Sequence, residues 1–181
     1  MRQLTLDSHT ALRLLKVSDA SQVAQAYLRN REHLSKWEPE RADEYFTEAW
    51  QAENISQVLA AHQNGLAYPY GLFRGDALVG RFNIASVVRG PFQSGSLGYW
   101  VDHNFTGQGL ASRAVAALRT EATDSLGLHR LEACTLLHNH ASQQVLLKNG
   151  FGKIGMAPNY LKIAGRWQDH NLYQAILHDR A

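Results

Sequence analysis

Residues 101–111 read VDHNFTGQGLA and lie between two segments of different hydrophobic period. The segment before them, LGYW at residues 97–100, is apolar and aromatic, which is typical of a β-strand. After them the apolar residues recur at helical spacing as far as Ala122, and Gly127 follows where a helix would end. The glycines of this stretch therefore lie in a turn that leads from a strand into a helix.

The turn contains Gly107 and Gly109, which can adopt left-handed backbone angles and have no Cβ that would block a ligand. The first backbone N–H groups of the following helix lack internal acceptors and lie at the positive end of the helix dipole. This arrangement predicts a site for a phosphate or pyrophosphate, although a tight connection without a ligand explains two glycines equally well. A P-loop is excluded because no Gly-Lys-Ser/Thr is present, and the dinucleotide fingerprint is excluded because Ser112 replaces its third glycine.

Length and composition limit the classes of protein to consider. The 181 residues are enough for a sizeable core, and we predict a single domain over residues 1–181. A formal net charge of +2 gives no support for direct nucleic-acid binding. Cys134 is the only cysteine, so an internal disulfide and a thiolate zinc site are excluded. Because the N-terminus lacks the apolar segment of a signal peptide and no apolar run matches a membrane span, we expect a cytoplasmic protein without a membrane partner.

The segments alternate between strand and helix patterns, in the order β, α, α, three β, α, β, α, two β. Residues 68–84 predict a hairpin, residues 129–137 a buried strand and residues 139–147 a short helix. The last two strands are predicted at 151–156 and 171–177, joined by a loop that contains a proline. This order predicts a mixed sheet with helices on its faces.

Three groups of motifs occur in order along nearly the whole chain. TGQGLA at residues 106–111 follows the pattern Gln/Arg-x-x-Gly-x-Gly/Ala apart from its threonine, and NHAS at 139–142 is followed by KNGF at 148–151. The third group comprises LRL at 12–14, LSKWEP at 34–39, LGYW at 97–100 and GRWQDH at 165–170. In these motifs the chain resembles the GNAT family of acetyl-CoA-dependent N-acetyltransferases, and in the third group its ribosomal-protein branch, the RimJ and RimL type.

The resemblance implies both a fold and a reaction. The fold is of the α/β (α+β) class, with a GNAT-type mixed, centrally splayed β-sheet and helices on both faces. The reaction is direct transfer of the acetyl group of acetyl-CoA to a primary amine, and the N-terminal α-amine of a ribosomal-type protein or of a peptide is the expected acceptor. A polyamine, an aminoglycoside and a non-catalytic CoA-sensing role stay open as alternatives, and so does a homodimer. No metal is implied.

The resemblance assigns acetyl-CoA binding to a strand end, the glycine turn and the starts of two helices. The residues implied are Trp100, Val101, Thr106, Gly107, Gln108, Gly109, Leu110, Ala111, Ser112, Asn139 and Ser142. Thr106 stands where relatives carry Gln or Arg, which removes one side-chain contact to the pyrophosphate but leaves the backbone N–H groups. Asn139 would donate an amide hydrogen bond to the pantetheine arm, and its position also suits a helix N-cap.

Ser142 and Glu132 are the expected catalytic residues. Ser142 would donate a hydrogen bond to the developing thiolate, and a neutral hydroxyl suffices because the pKa of a thiol is only about 8.5. An ordinary serine in the first turn of a helix is the alternative. Glu132 is the expected general base, ahead of His138 and Asp169, and a salt bridge to Arg130 is its alternative role.

No general base is obvious, because Ser96 stands where relatives often carry an acid. The α-amine of a protein has a pKa of about 7.7–8.0, against about 10.4 for lysine, so it needs only a weak base. The missing acid therefore fits an α-amine acceptor better than a lysine. Trp37, Trp50, Tyr160 and Trp167 are candidates for the walls of an acceptor groove, with core packing as the alternative.

Overall fold

The computed structural model describes residues 3–179, which form an eight-stranded sheet, five α-helices and three short 3-10 helices. The strands are β1 Leu4–Thr5, β2 Thr10–Leu14, β3 Tyr68–Arg74, β4 Ala77–Val88, β5 Ser94–Val101, β6 Arg130–Leu136, β7 Gly152–Ile163 and β8 Arg166–Ile176. The α-helices are α1 Ala20–Arg29, α2 Arg31–Ser35, α3 Glu48–Gln63, α4 Leu110–Asp124 and α5 His140–Lys148, and the 3-10 helices are Val17–Asp19, Asp43–Phe46 and His103–Phe105. Within residues 3–179, no helix combines the length and the apolar character needed to cross a bilayer.

The sheet divides at its centre. Its strand order is β1-β2-β3-β4-β5-β6-β8-β7, and β5 with β6 is the parallel pair, whereas the other neighbours are antiparallel. These two strands pair only from Ser94 to Ser96 on β5 and from Arg130 to Glu132 on β6. Beyond those positions both strands continue and diverge, which leaves a V-shaped gap. The predicted mixed and centrally splayed sheet is confirmed.

Helices cover both faces of the sheet, as the resemblance implies. On one face, α4 buries Val115 and Leu118 in a core that includes Phe82 of β4. On the other face, α1 and α3 contribute Val23 and Ile55 to a second core. Because strand side chains alternate between faces, β4 and β5 carry apolar residues into both cores and still leave polar positions near the gap.

The prediction of a loop between the last two strands is wrong. The structure instead has a long β7–β8 hairpin that closes with a two-residue turn at Ala164 and Gly165, both with left-handed φ angles (48° and 76°). Pro158 suggested a loop, but a bulge between Ala157 and Leu161 removes it from the ladder. Asp169 stabilises this bulge by accepting a hydrogen bond of 2.9 Å from the backbone N–H of Asn159.

Candidate functional site

The open end of the V-shaped gap forms a cavity of about 540 Å³, which we call the central groove. It lies between β5, the glycine turn, the start of α4 and the start of α5. All of the residues expected to bind acetyl-CoA line this groove except Gln108. The side chain of Gln108 instead accepts a hydrogen bond of 3.1 Å from Arg74.

The glycine turn has the geometry of an anion site. Gly107 and Gly109 have φ angles of 75° and 72°, and Gly109 is the N-cap of α4. A Cβ at position 107 would meet no atom within 4 Å, so the space beside this backbone is open. The N–H of Arg113 donates to the Gly109 carbonyl at 3.1 Å, and the N–H groups that precede it are the unpaired donors of the helix start. The Thr106 hydroxyl donates to the His103 carbonyl at 2.9 Å, so it supports the turn.

Two guanidinium groups flank the turn, and the sequence analysis did not identify either of them. Arg113 donates to the Gln108 carbonyl at 3.3 Å and pairs with Asp7 at 3.1 Å, while Arg74 contacts the Gln108 side chain. Their charge adds to the positive potential of the α4 N-terminus. Arg113 lies four residues after Gly109 and could have been found from spacing, but Arg74 lies at the end of β3, far away in sequence.

A polar cluster lies beside the start of α5. The Asn139 side-chain oxygen accepts a hydrogen bond of 3.2 Å from the Ser142 N–H, so Asn139 is the N-cap and keeps its Nδ2 group for a ligand. The Ser142 hydroxyl lies 2.9 Å from the hydroxyl of Tyr99 on β5. Burial raises the pKa of Tyr99 to about 12, while the hydrogen bond between the two hydroxyls opposes the shift. Tyr99 therefore stays protonated at neutral pH.

A second cavity of about 330 Å³, the side pocket, opens on the α1–α3 face of the sheet. Its floor includes Arg81 of β4 and Gly98 of β5, and Asn54 of α3 forms part of its wall. Tyr45 makes edge and tilted ring contacts with its aromatic neighbours, at centroid distances of 4.9 Å to Tyr27 and 4.5 Å to Trp50. The pocket thus combines a polar floor with an aromatic wall.

Glu38, Tyr99 and Trp100 line both the central groove and the side pocket. Burial raises the pKa of the Glu38 carboxyl above its usual value, although Arg41 and Arg81 oppose the shift. The indole Nε1 of Trp100 is buried and has no hydrogen-bond partner among residues 3–179. The junction therefore places a carboxylate, a phenol and an indole where the two cavities meet.

The tip of the β7–β8 hairpin holds the segment that carries Glu38. The Glu38 carbonyl accepts a hydrogen bond of 3.1 Å from the Ala164 N–H. Gly165 packs so closely on the next glutamate that a Cβ there would lie 2.5 Å from Oε1 of Glu40. Glu38 was missed as a candidate base because its position depends on this remote hairpin, which the sequence analysis took for a loop.

The bases expected from sequence lie away from the junction. Glu132 pairs with Ser96 at the closed end of the V, makes a loose ion pair of 3.9 Å with Arg130, and lines neither cavity. His138 makes a tilted ring contact with Trp37, with centroids 5.4 Å apart, and Asp169 supports the hairpin bulge described above.

Only two of the four aromatic residues predicted to line an acceptor groove line one of the two cavities. Trp37 lines the central groove and Trp50 lines the side pocket. Tyr160 and Trp167 lie exposed on the β7–β8 hairpin and line neither cavity.

Residues 9–152 match the family described as "Acetyltransferase (GNAT) domain". The chain is 35% identical over 173 residues to the "[Ribosomal protein uS5]-alanine N-acetyltransferase" of Escherichia coli (strain K12). This similarity covers 94% of the chain and 88% of the relative. The match therefore includes the turn, both cavities and most of the β7–β8 hairpin.

Solved structures agree with this relationship. The ribosomal-protein-S5-alanine acetyltransferase of Vibrio fischeri superposes with a TM-score of 0.95 at 32% identity, covering 99% of this chain and 98% of that one. RimJ of Mycobacterium smegmatis, in complex with CoA-disulfide, gives a TM-score of 0.89 at 29% identity, covering 92% of this chain and 81% of that one.

Proposed function

The chain belongs to the RimJ/RimL branch of the GNAT family and is an acetyl-CoA-dependent N-acetyltransferase, and from this we propose that its acceptor is the N-terminal α-amine of a ribosomal protein. The observation that carries the proposal is the junction at Glu38 and Tyr99, two residues that line both the side pocket and the central groove. An amine entering through the side pocket meets a carboxylate beside the groove. The name of the Escherichia coli relative, which specifies an alanine of a ribosomal protein, supports the same class of acceptor.

We propose that the central groove binds acetyl-CoA, and the local geometry fits its anionic and amide groups. The free N–H groups at the start of α4, with Arg74 and Arg113 beside them, suit the pyrophosphate. The Nδ2 group of Asn139 suits a pantetheine carbonyl. The gap between β5 and β6 provides unpaired strand edges for the rest of the arm.

Glu38 is the general base in this proposal. The amine must lose a proton as its nitrogen forms a bond to the acetyl carbon, and a carboxylate is suited to accept it when its pKa is raised toward that of the amine. Burial raises the pKa of Glu38 in this direction. Glu132 is the alternative base, acting through water from the closed end of the V, and it ranks second because it lines neither cavity.

Ser142 assists the leaving group. As the carbon–sulfur bond breaks, the sulfur becomes a thiolate, and the Ser142 hydroxyl donates a hydrogen bond to it. Tyr99, at 2.9 Å, orients this hydroxyl. The thiolate finally takes up a proton, so the products are an acetylated amine and free CoA. Because the pKa of a thiol is about 8.5, a neutral donor is sufficient.

Mass spectrometry of purified protein incubated with acetyl-CoA and defined acceptors tests the proposal. We expect a peptide with a free N-terminal alanine to gain one acetyl group. Two acceptors serve as matched controls. One is the same peptide with its N-terminus blocked and an internal lysine added, and the other is a polyamine. Faster acetylation of the lysine or the polyamine would contradict the α-amine acceptor, and acetyl-CoA binding without turnover on any amine would indicate a sensing role.

A further inference from the structure

The side pocket contains two guanidinium groups that no carboxylate neutralises directly. Within residues 3–179, neither Arg41 nor Arg81 makes an ion pair with an Asp or Glu oxygen within 4.0 Å. Arg81 donates a hydrogen bond of 3.3 Å to the Asn54 side chain, and Arg41 lies 4.5 Å above the ring of Tyr45. Both guanidinium groups act on the Glu38 carboxyl only from beyond ion-pair distance, so each keeps N–H donors for a ligand.

These charges lie close to the position where the amine reacts. Arg81 on β4 is directly opposite Trp100 on β5, and Trp100 lines both cavities. Of the described residues that line the side pocket, only Glu38 is acidic. Once Glu38 has accepted the proton of the amine, the pocket contains two positive charges and no negative one.

Two positive charges act on an incoming amine in opposite ways. They disfavour the ammonium form, which lowers the pKa of the amine and increases its neutral, nucleophilic fraction. They also repel the ammonium as it approaches, which slows binding. A carboxylate elsewhere in the same acceptor removes the repulsion and can form charge-assisted hydrogen bonds with a guanidinium.

We propose that the side pocket selects acceptors that carry a carboxylate close to the reacting amine, bound by Arg81 and Arg41. This inference rests on the proposed function and specifies the acceptor further: the preferred protein N-terminus has an aspartate or glutamate next to its first residue. The α-carboxylate of a free amino acid offers the same chemistry from a different source.

The test compares kcat/KM for two peptides that differ only in their second residue, Ala-Asp and Ala-Asn. We expect the wild type to prefer the aspartate peptide by about tenfold, because a charge-assisted hydrogen bond from a guanidinium to a carboxylate is stronger than one to a neutral amide. Arg81→Gln should bring the ratio close to one. Lys153→Gln is the control, since it removes an exposed positive charge outside both cavities and should keep the preference.

Arg41→Gln is the second variant, because Arg41 is exposed and its replacement does not threaten folding. Thermal unfolding of each variant checks that it is folded. A wild-type ratio near one, or a preference that survives in both arginine variants, would overturn the carboxylate site. Free alanine as a third acceptor separates the sources: faster turnover than either peptide supports the carboxylate site but contradicts the protein acceptor. If acetyl-CoA binds and no acceptor reacts, the proposed function itself fails.

Discussion

Ser142 and Tyr99 form a pair of hydroxyl groups 2.9 Å apart at the floor of the central groove. Glu38 lies at the same junction, with a raised pKa. These side chains come from three separate elements or loops, and each has a distinct role in the proposed reaction. Single substitutions can therefore test stabilisation of the leaving thiolate separately from deprotonation of the amine.

Replacing Ser142 with alanine removes the hydrogen bond to the departing thiolate. We expect kcat to fall by about 10- to 100-fold, since a hydrogen bond to a charged group contributes about 1.5–3 kcal/mol. The dissociation constant of acetyl-CoA, measured by calorimetry, should change little. An unchanged kcat would exclude Ser142 from the reaction. Tyr99→Phe, introduced into the wild type and into the Ser142→Ala variant, shows whether the two hydroxyls act together.

Glu38→Gln should lower kcat/KM by about a hundredfold or more, the usual effect of losing a general base. In the wild type, activity should rise with pH as Glu38 loses its proton, and this dependence should disappear in the variant. Glu132→Gln is the matched control and should keep both the rate and the pH profile. The reverse result, with Glu132→Gln inactive and Glu38→Gln active, would move the base to the closed end of the V.

The same variant has an expected effect on stability. Because the pKa of Glu38 is raised in the folded state, folding favours its protonated form, and the carboxylate destabilises the protein above its unfolded-state pKa. Glu38→Gln should therefore raise the free energy of unfolding at neutral pH. The difference should vanish in acid, where Glu38 is protonated in both states.

The role proposed for Ser142 follows from the sequence, whereas that proposed for Glu38 requires the structure. Ser142 belongs to a local motif, NHAS, whose spacing along the chain fixes its place at a helix start. Glu38 also lies in a motif found in the sequence, but its role depends on the hairpin tip that bonds to its backbone carbonyl and on Arg81, Tyr99 and Trp100, which line the side pocket with it. Contacts between residues so far apart in sequence leave no periodic signal.

At the scale of elements, the glycine turn with α4 and the β7–β8 hairpin position the two sides of the site. The strand–turn–helix unit was predictable, since its hydrophobic period changes within a few residues and glycines mark the change. The hairpin was not predictable, because Pro158 and the bulge at Asn159 conceal the alternation expected of a strand.

Gly165→Val tests whether the hairpin tip positions the base. Valine is strained at the left-handed φ of 76° that Gly165 adopts, and this strain should displace the tip whose Ala164 N–H donates to the Glu38 carbonyl, whereas the Glu40 carboxylate can move aside. We expect kcat to fall while acetyl-CoA affinity is retained. Gly75→Val is the matched control, since Gly75 also has a left-handed φ angle, of 57°, but no atom within 4 Å of a Cβ. If both variants lose the same activity, strain at any left-handed glycine explains the effect and the hairpin tip has no specific role.

At the scale of the whole molecule, most of the fold could be predicted and the chemistry only in part. The order of elements and a mixed sheet with helices on its faces follow from hydrophobic period, and the splay at the centre of the sheet is implied by the family resemblance that the ordered motifs carry. The side pocket could not be foreseen, because its floor, wall and roof come from β4, β5, α3 and the segment around Arg41. A cavity between elements depends on their packing, and no single segment encodes it.

Thermal unfolding with and without acetyl-CoA tests the central groove in the intact protein. A ligand at 100 times its dissociation constant adds about 2.7 kcal/mol to the free energy of unfolding. For 181 residues this corresponds to a rise in midpoint of about 5–10 °C. Gly109→Val should lose the rise, because its side chain projects at the start of α4, where the N–H donors lie.

Gly127→Val is the matched control. Gly127 lies beyond the end of α4 with a left-handed φ angle of 59°, so valine introduces similar backbone strain away from the groove. This variant should keep the rise in unfolding midpoint. A rise that persists in Gly109→Val would place acetyl-CoA elsewhere.

The V-shaped gap also means that the protein contains two exposed strand edges inside its own sheet. Beyond Ser96 and Glu132, alternate amides of β5 and β6 face each other across open space. Such edges normally attract another strand. An acyl-pantetheine arm, with amides of its own, would act here as a surrogate strand that completes the sheet. Amide hydrogen exchange should then slow along both edges when acetyl-CoA binds. The hydrogen bonding of the sheet would therefore be complete only in the acetyl-CoA complex.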